Sequence, residues 1–318
     1  MIAPALLLGF GLIGGGLAGS WLHRAHWPSR APRLGIWVWT ALSVSTLAAA
    51  VLAGLALAVP WVRLTPALAD LVHACWALIR VHYATPGGAL TGVTGLAVAG
   101  GIGARLLVRL VVENVRSARL RRSHRDRLLL LAHPHPSRAV VVLPCSDPAV
   151  YCLPGRPGLV VCTSAALERL DSDELQAVLA HEQAHLRGRH HQLLTLAAVL
   201  RSAFPFVPTL RLAEQDLAVL VEMRADDAAR RVRRPWVLGS ALVKLAGAEM
   251  PRVALRASGA GLVVRVQRLS VATSAVSTRA TAVVAVLGLV VLVAPVLIAL
   301  GPAAVAVALD YCPTGFPG

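Results

Sequence analysis

A chain of 318 residues that is 56% hydrophobic and only 15% charged is too apolar for an ordinary soluble enzyme of its length. Its formal net charge of +15 would point to nucleic acid in a soluble protein, but the arginines cluster beside long uncharged runs, as they do at the cytoplasmic flanks of membrane helices, and no direct nucleic-acid binding is expected. The five cysteines (Cys75, Cys145, Cys152, Cys162, Cys312) form no CxxC pair, which argues against a cysteine zinc site or a disulfide-rich fold.

The first apolar run extends from Ile2 to Leu22 without the positive flank of a secretory signal and reads as a membrane helix over 2–22. A second run, 36–59, stops at Pro60, and a third, 87–112, carries the packing glycines Gly92, Gly95, Gly100, Gly101 and Gly103. The last runs without a charge from Ala280 to Leu309, where Pro295 and Pro302 are expected to kink or end the helix. These four runs divide the chain into an N-terminal membrane region (1–113, three helices), a water-facing domain (114–279) and a closing helix with a short tail (280–318).

Orientation follows from the basic residues. Arg24, Arg30 and Arg33 lie in the first loop, Arg105 and Arg109 close the third span, and six arginines follow between Arg116 and Arg127. The first loop and the central domain are therefore expected in the cytoplasm, with both termini outside a multi-pass cell-membrane protein. Cys75 and Cys312 then share the oxidising side and could form a disulfide there.

The central stretch from Glu113 to Arg279 carries 14 of the 16 acidic and 24 of the 31 basic residues. It opens with two short strand-like runs, Ala139–Pro144 and Leu159–Ser164, separated by a Pro/Gly turn and expected to pair as an antiparallel hairpin or sheet edge. An edge strand at 159–164 could hold an extended peptide by strand addition. From Asp171 the pattern turns helical, with Asp171 as N-cap, Glu174 three residues on, and Leu175, Val178 and Leu179 on one face. The apolar segment 193–212 is interrupted by Arg201, Pro205 and Pro208 and reads as a helical hairpin against protein or membrane surface, with a fifth span as the alternative. A further helix is expected over Glu214–Val232, and the arginines around it, Arg224 and Arg230 to Arg234, read as a solvated charged face. There is no internal repeat.

The helix that opens at Asp171 carries His181-Glu182-Gln183-Ala184-His185. This HExxH spacing sets two imidazoles one turn apart on a common face, where both can bind one zinc ion, with Glu182 as general base toward a metal-activated water. Ala177 to Ala180 run directly into His181, so the first histidine emerges from an apolar segment rather than a charged surface. A zinc enzyme of this kind needs a third protein ligand. Two candidates compete: Glu222, followed one turn later by Asp226 as an outer partner, and His191, which completes HExxHxxGxxH, the metzincin pattern. No oxyanion-stabilising residue can be named.

The run ALERLDSDELQAVLAHEQAHLRGRHH, followed some thirty residues on by EMRADDAA, resembles the BlaR/MecR type of membrane zinc metallopeptidase and, more distantly, the Ste24/HtpX type. The resemblance covers about Val140 to Val232. It implies a gluzincin-like α+β zinc metallopeptidase domain flanked by membrane helices in a mainly α protein. It also implies one Zn²⁺ held by His181, His185 and Glu222, Glu182 as the catalytic base, and Asp226 orienting a ligand histidine. The implied activity is zinc-dependent endopeptidase cleavage of a cytoplasmic or membrane-proximal protein. The substrate of such a regulatory protease would be a transcriptional repressor, with a separate sensor partner. Only about nine residues follow the last span, which leaves no room for an external penicillin-binding domain, so antibiotic sensing by this chain alone is not expected. An HtpX-like quality-control protease and a non-enzymatic signalling scaffold are the alternatives.

Overall fold

A computed structural model describes residues 2–58, 84–135, 140–246, 263–270 and 277–310. The chain begins with α1 (Ile2–Arg24), which widens into a π-helical stretch at Ile13–Ala18, then the short α2 (Trp27–Arg30) and α3 (Pro32–Ala58). After a gap in the described residues comes α4 (Pro86–Leu131), and α11 (Thr278–Asp310) closes the described chain. Four described helices are long and apolar enough to cross a membrane: Ile2–Arg24, Pro32–Ala58, Pro86–Leu128 and Thr278–Gly301. Many of their exposed side chains are apolar as well, among them Leu107, Val108 and Val111 on α4 and Val283, Val286 and Leu287 on α11.

Small residues set the packing between these helices. A Cβ on Gly54 of α3 would stand 2.7 Å from the Gly95 carbonyl oxygen of α4, so only glycine lets the two backbones approach this closely. Two helix ends differ from expectation. The helix of the third span does not stop near residue 112 but runs on through the arginine-rich segment to Leu131, because neither proline nor glycine follows Gly103 to interrupt it. The last helix continues through positions 295 and 302 instead of ending there. Pro295 is buried, and its packing against neighbouring helices offsets the hydrogen bond that it removes.

The part of the chain after α4 opens with a four-stranded sheet: β1 (His133–Pro134), β2 (Val141–Leu143), β3 (Val150–Leu153) and β4 (Leu159–Thr163), in the order β1-β2-β4-β3. The two runs expected to form an antiparallel hairpin are instead parallel, with Val141 opposite Val161. The intervening β3 takes the antiparallel place beside β4. Consequently β4 is an interior strand, with Val160, Val161, Cys162 and Thr163 buried. Among the described strands the edges of the sheet are β1 and β3, not 159–164.

Helices α5 (Ser164–Arg169) and α6 (Ser172–Arg187) follow the sheet. The Asp171 carboxylate accepts from the N–H groups of Asp173 and Glu174, and Glu174 reaches back to the Asp171 N–H at 3.1 Å, completing a capping box. The apolar face of α6, with Leu175, Ala177 and Val178, packs on Ala166, Leu170, Ala229 and α9 (Pro235–Ala246). The segment read as a helical hairpin is one: α7 (His190–Ala203) and α8 (Pro208–Ala229) meet at a turn over 204–207. Helix α8 begins at Pro208 rather than Glu214, since a proline at the first helical position supplies a preset φ and loses no needed donor. A last helical piece, α10, covers 263–270.

Glu174 also ties α6 to α9. Its buried carboxylate accepts from Ser240 Oγ and Lys244 Nζ, both at 2.6 Å. Burial opposes its ionisation, but Lys244, Ser240 and the Asp171 N–H prevail and hold it below the usual glutamate range. Because the folded pKa is depressed, this stability is present above the unfolded pKa and is lost as pH falls through the folded one. Glu174→Ala should destabilise the protein by about 1–2 kcal/mol, the Lys244 end being partly in solvent. Thermal unfolding in detergent at neutral pH checks it, and the difference from wild type should shrink in acid.

Cys75 and Cys312 lie outside the described residues. Cys145 and Cys152 are free thiols.

Candidate metal centre

One helical turn on α6 separates His181 from His185, and their Nε2 atoms lie 3.1 Å apart. Helix α8 packs across α6 and brings Glu222 to the same point, Oε2 3.5 Å from His181 Nε2 and Oε1 3.5 Å from His185 Nε2. All three donor atoms lie within 4.8 Å of one another. Two donors on one tetrahedral zinc, each about 2.0–2.1 Å from it, stand roughly 3.3 Å apart. Two imidazole nitrogens and a carboxylate at this spacing fit that ion.

A deeper layer fixes the donors. Asp226, one turn beyond Glu222 and fully buried, puts Oδ1 3.0 Å from His181 Nδ1, which commits that ring to offer Nε2. Arg265, on α10, grips Asp226 with two donors, Nε to Oδ2 at 2.8 Å and Nη2 to Oδ1 at 2.7 Å, and extends Nη1 to within 2.9 Å of Glu222 Oε2. The sequence reading missed Arg265. Its signal there is a cation inside the apolar run GLVVRVQRL, forty-three residues beyond Glu222 in the chain.

The histidine pair after the motif also departs from expectation. His190 is not a solvated helix end: it is 2% exposed, and its Nδ1 lies 2.9 Å from His185 Nδ1. The chain reverses at Gly188 and Arg189, the latter in the left-handed region at φ 48°. A Cβ on Gly188 would come 2.7 Å from His190 Cδ2, so glycine is needed for the ring to tuck in. The turn therefore delivers His190, not His191, to the back of His185. His191 is not in the donor cluster found among the described residues, and the charges that act on it are Arg121 and Arg189. His190→Ala should weaken zinc binding about 10–100-fold, the effect expected for an outer partner of a ligand histidine. Competition against a calibrated chelator measures it, and unchanged affinity would remove His190 from the site.

The electrostatics separate the two histidines. Burial lowers both, but Asp226 and Glu222 outweigh it at His181 and raise it to about 9, whereas His185 falls to about 4. Burial raises Glu222 and Asp226, yet His181 and Arg265 hold each at about 2. Glu182, beside this cluster, is pushed up by burial, and the Cys152 thiol of β3 sits against its carboxylate. Burial and that carboxylate raise Cys152 to about 12. The edge strand thus borders the site, with Cys152 and Glu182 in contact. The arginines at 230–234 line a separate cleft of about 680 Å³ with Trp236, and Arg233 in it is paired with Asp173 at 3.0 Å.

Comparison with known proteins agrees with this geometry. Residues 114–218 match the profile of Peptidase family M48, a match that contains the HExxH helix and ends just short of Glu222. The chain is 37% identical over 113 residues to the plastoglobule-localized metallopeptidase 48, chloroplastic, of Arabidopsis thaliana, covering 33% of each. It is 34% identical over 77 residues to a protease HtpX homolog of Aquifex aeolicus (24% of this chain, 26% of the relative). A Pyrococcus abyssi protease HtpX homolog is 37% identical over 70 residues (21% and 24%). The chain thus spans a quarter to a third of the length of these relatives. No solved structure matches it. The BlaR/MecR-type resemblance finds no support in these comparisons, whereas the HtpX likeness does. Residues 114–218 are therefore similar to Peptidase family M48, and HtpX homologues are among the proteins that this chain resembles.

Proposed function

We propose that this chain is an integral membrane zinc endopeptidase of HtpX-like type, cleaving protein segments close to the membrane surface. The observation that carries the reading is the convergence of His181, His185 and Glu222 within 4.8 Å, with Glu182 alongside. His181, His185 and Glu222 would hold one zinc ion, which when bound supplies Lewis acidity to the peptide carbonyl and to water. Asp226 and Arg265 keep His181 and Glu222 in place, and His190 does so for His185. Glu182 takes a proton at its carboxylate and returns it to the departing amide nitrogen. Its burial suits that exchange, because a carboxyl group with a raised pKa holds a proton more readily than a solvated one. The free edge of β3 offers backbone donors and acceptors to an extended substrate, so binding would depend little on sequence.

Four apolar helices support membrane residence, and the arginines beside them support a catalytic domain on the cytoplasmic side with both termini outside. The site stands near the charged ends of the spans. Leu220, two residues before Glu222, packs where a Cβ on Gly35 would be 3.1 Å away. Arg268 bridges Asp227 (2.7 Å) to the Ser29 carbonyl (2.9 Å) in the loop between the first two spans. That position favours membrane-proximal substrates, and with the HtpX likeness it favours a role in membrane protein quality control over cleavage of a single repressor.

Purified full-length chain in liposomes should contain one zinc per molecule and cleave an unfolded membrane protein. A chelator should stop cleavage and added zinc should restore it. Absence of stoichiometric metal together with chelator-insensitive cleavage would falsify the assignment.

A further inference from the structure

We infer that the α7–α8 hairpin is a re-entrant membrane element whose tip, residues 204–207, lies within the hydrocarbon and presents Phe206 to lipid acyl chains. The inference rests on the reading of the four apolar helices as membrane spans.

The contacts of the tip set its depth. Thr209, fully buried at the start of α8, donates its hydroxyl to the Gly14 carbonyl at 2.6 Å. A Cβ on Gly15 would lie 3.3 Å from Val207 Cγ1, and one on Gly14 would lie 2.7 Å from Thr46 Oγ1. Gly14, Val207 and Thr46 therefore share one level. Gly14 is ten residues from Arg24 and Thr46 is thirteen from Arg33. At about 1.5 Å per residue the tip stands roughly 15–20 Å inward from the charged ends of α1 and α3. That is about half of a hydrocarbon core some 30 Å thick.

A chain reversal at this depth must satisfy its own backbone groups. Pro205 and Pro208, which look like interruptions in the sequence, remove two N–H donors from the turn. The Phe204 carbonyl accepts from the Val207 N–H at 3.1 Å, and the Pro205 carbonyl accepts from Arg211 Nη2 at 3.3 Å. Arg105 of α4 donates Nε to the Ala203 carbonyl at the C-terminal end of α7, where a cation also meets the negative end of the helix dipole. The other charges close to the tip are paired: Arg201 with Glu214, and Arg211 with the turn itself.

The packed face of the tip is apolar, with the paired Arg201 and Arg211 exposed beside it. Leu200, Ala203, Phe204 and Leu210 pack with Leu47 of α3 and with Ile102 and Leu106 of α4. Phe206 stands 72% exposed beyond them. In water that ring would be an unpaid apolar surface; at the level of the mid-spans it meets acyl chains.

The test places a benzophenone amino acid at Phe206 of the full chain in phospholipid vesicles, with the same probe at Val286 on α11 and at Glu168 on α5. After irradiation, acyl-chain adducts are measured by mass. The expected result is lipid adducts at 206 and 286 and none at 168. Adducts at 286 with none at 206 would overturn the re-entrant hairpin while leaving the spans standing. Loss of adducts at both positions would overturn the membrane reading and the hairpin with it.

Discussion

Glu182→Gln should lower peptide hydrolysis by on the order of 10²–10⁴-fold, the usual contribution of a positioned general base, while one zinc per chain stays bound. The two effects separate because Glu182 is not one of the three converging donors. Glutamine keeps the shape of the side chain and removes the carboxylate that accepts the proton. The thiol of Cys152 beside it can still find an oxygen acceptor, so β3 should hold its place. Steady-state hydrolysis and metal content, measured on the same preparations, check both halves. Near wild-type turnover would exclude Glu182 as the base, and loss of zinc would mean that the substitution disturbs the ligand helix itself. In cells, protein fragments present with active enzyme and absent with the glutamine variant would name the substrates.

Glu222→Ala should cost more metal affinity than the roughly 10–100-fold expected for an outer partner, leaving a protein without stoichiometric zinc, whereas His191→Ala should retain it. Glu222 is the anionic member of the donor set, held at about 2 by His181 and Arg265, and so it is charged throughout the working pH range. On the proposed assignment its removal takes away a donor and also leaves the Arg265 guanidinium, 2.9 Å from the former carboxylate oxygen, facing the metal with only Asp226 to balance it. Repulsion then adds to the lost bond. Arg265→Met in the same background should recover part of the affinity if that repulsion contributes. Metal analysis showing zinc lost on His191→Ala and kept on Glu222→Ala would reverse the ligand assignment and favour the metzincin pattern.

How much of this was legible follows the range of the interactions. The capping box at Asp171, the two imidazoles of α6 and the Glu222–Asp226 pair of α8 each span one helical turn. Helix geometry alone puts such residues on a common face, so spacing in the sequence is enough. The four apolar helices are equally local, because the length of an uncharged run is set against the thickness of a bilayer. His190 was hidden by a smaller device, the reversal at Gly188 and Arg189. Continuing the helix in register would have carried His190 away from His185, and only the left-handed residue turns it back. The strands were misjudged for a related reason. Short apolar runs reveal that strands exist, but the partner and direction of each depend on which third segment joins the sheet, and β3, which lies between the two runs in the chain, took the antiparallel place on the far side of 159–163.

By itself the sequence determined the apolar spans, the amphipathic helix with HExxH and the later ExxxD turn, all properties of the chain over a few residues or of one uninterrupted run. Tertiary structure decided that α8 crosses α6 with Glu222 opposite both histidines, that Arg265 locks the carboxylates, and that the tip between α7 and α8 packs on Gly14 and Gly15. These are meetings of side chains from 37 to 195 residues apart. They depend on complementary packing of whole helices, which no local spacing encodes.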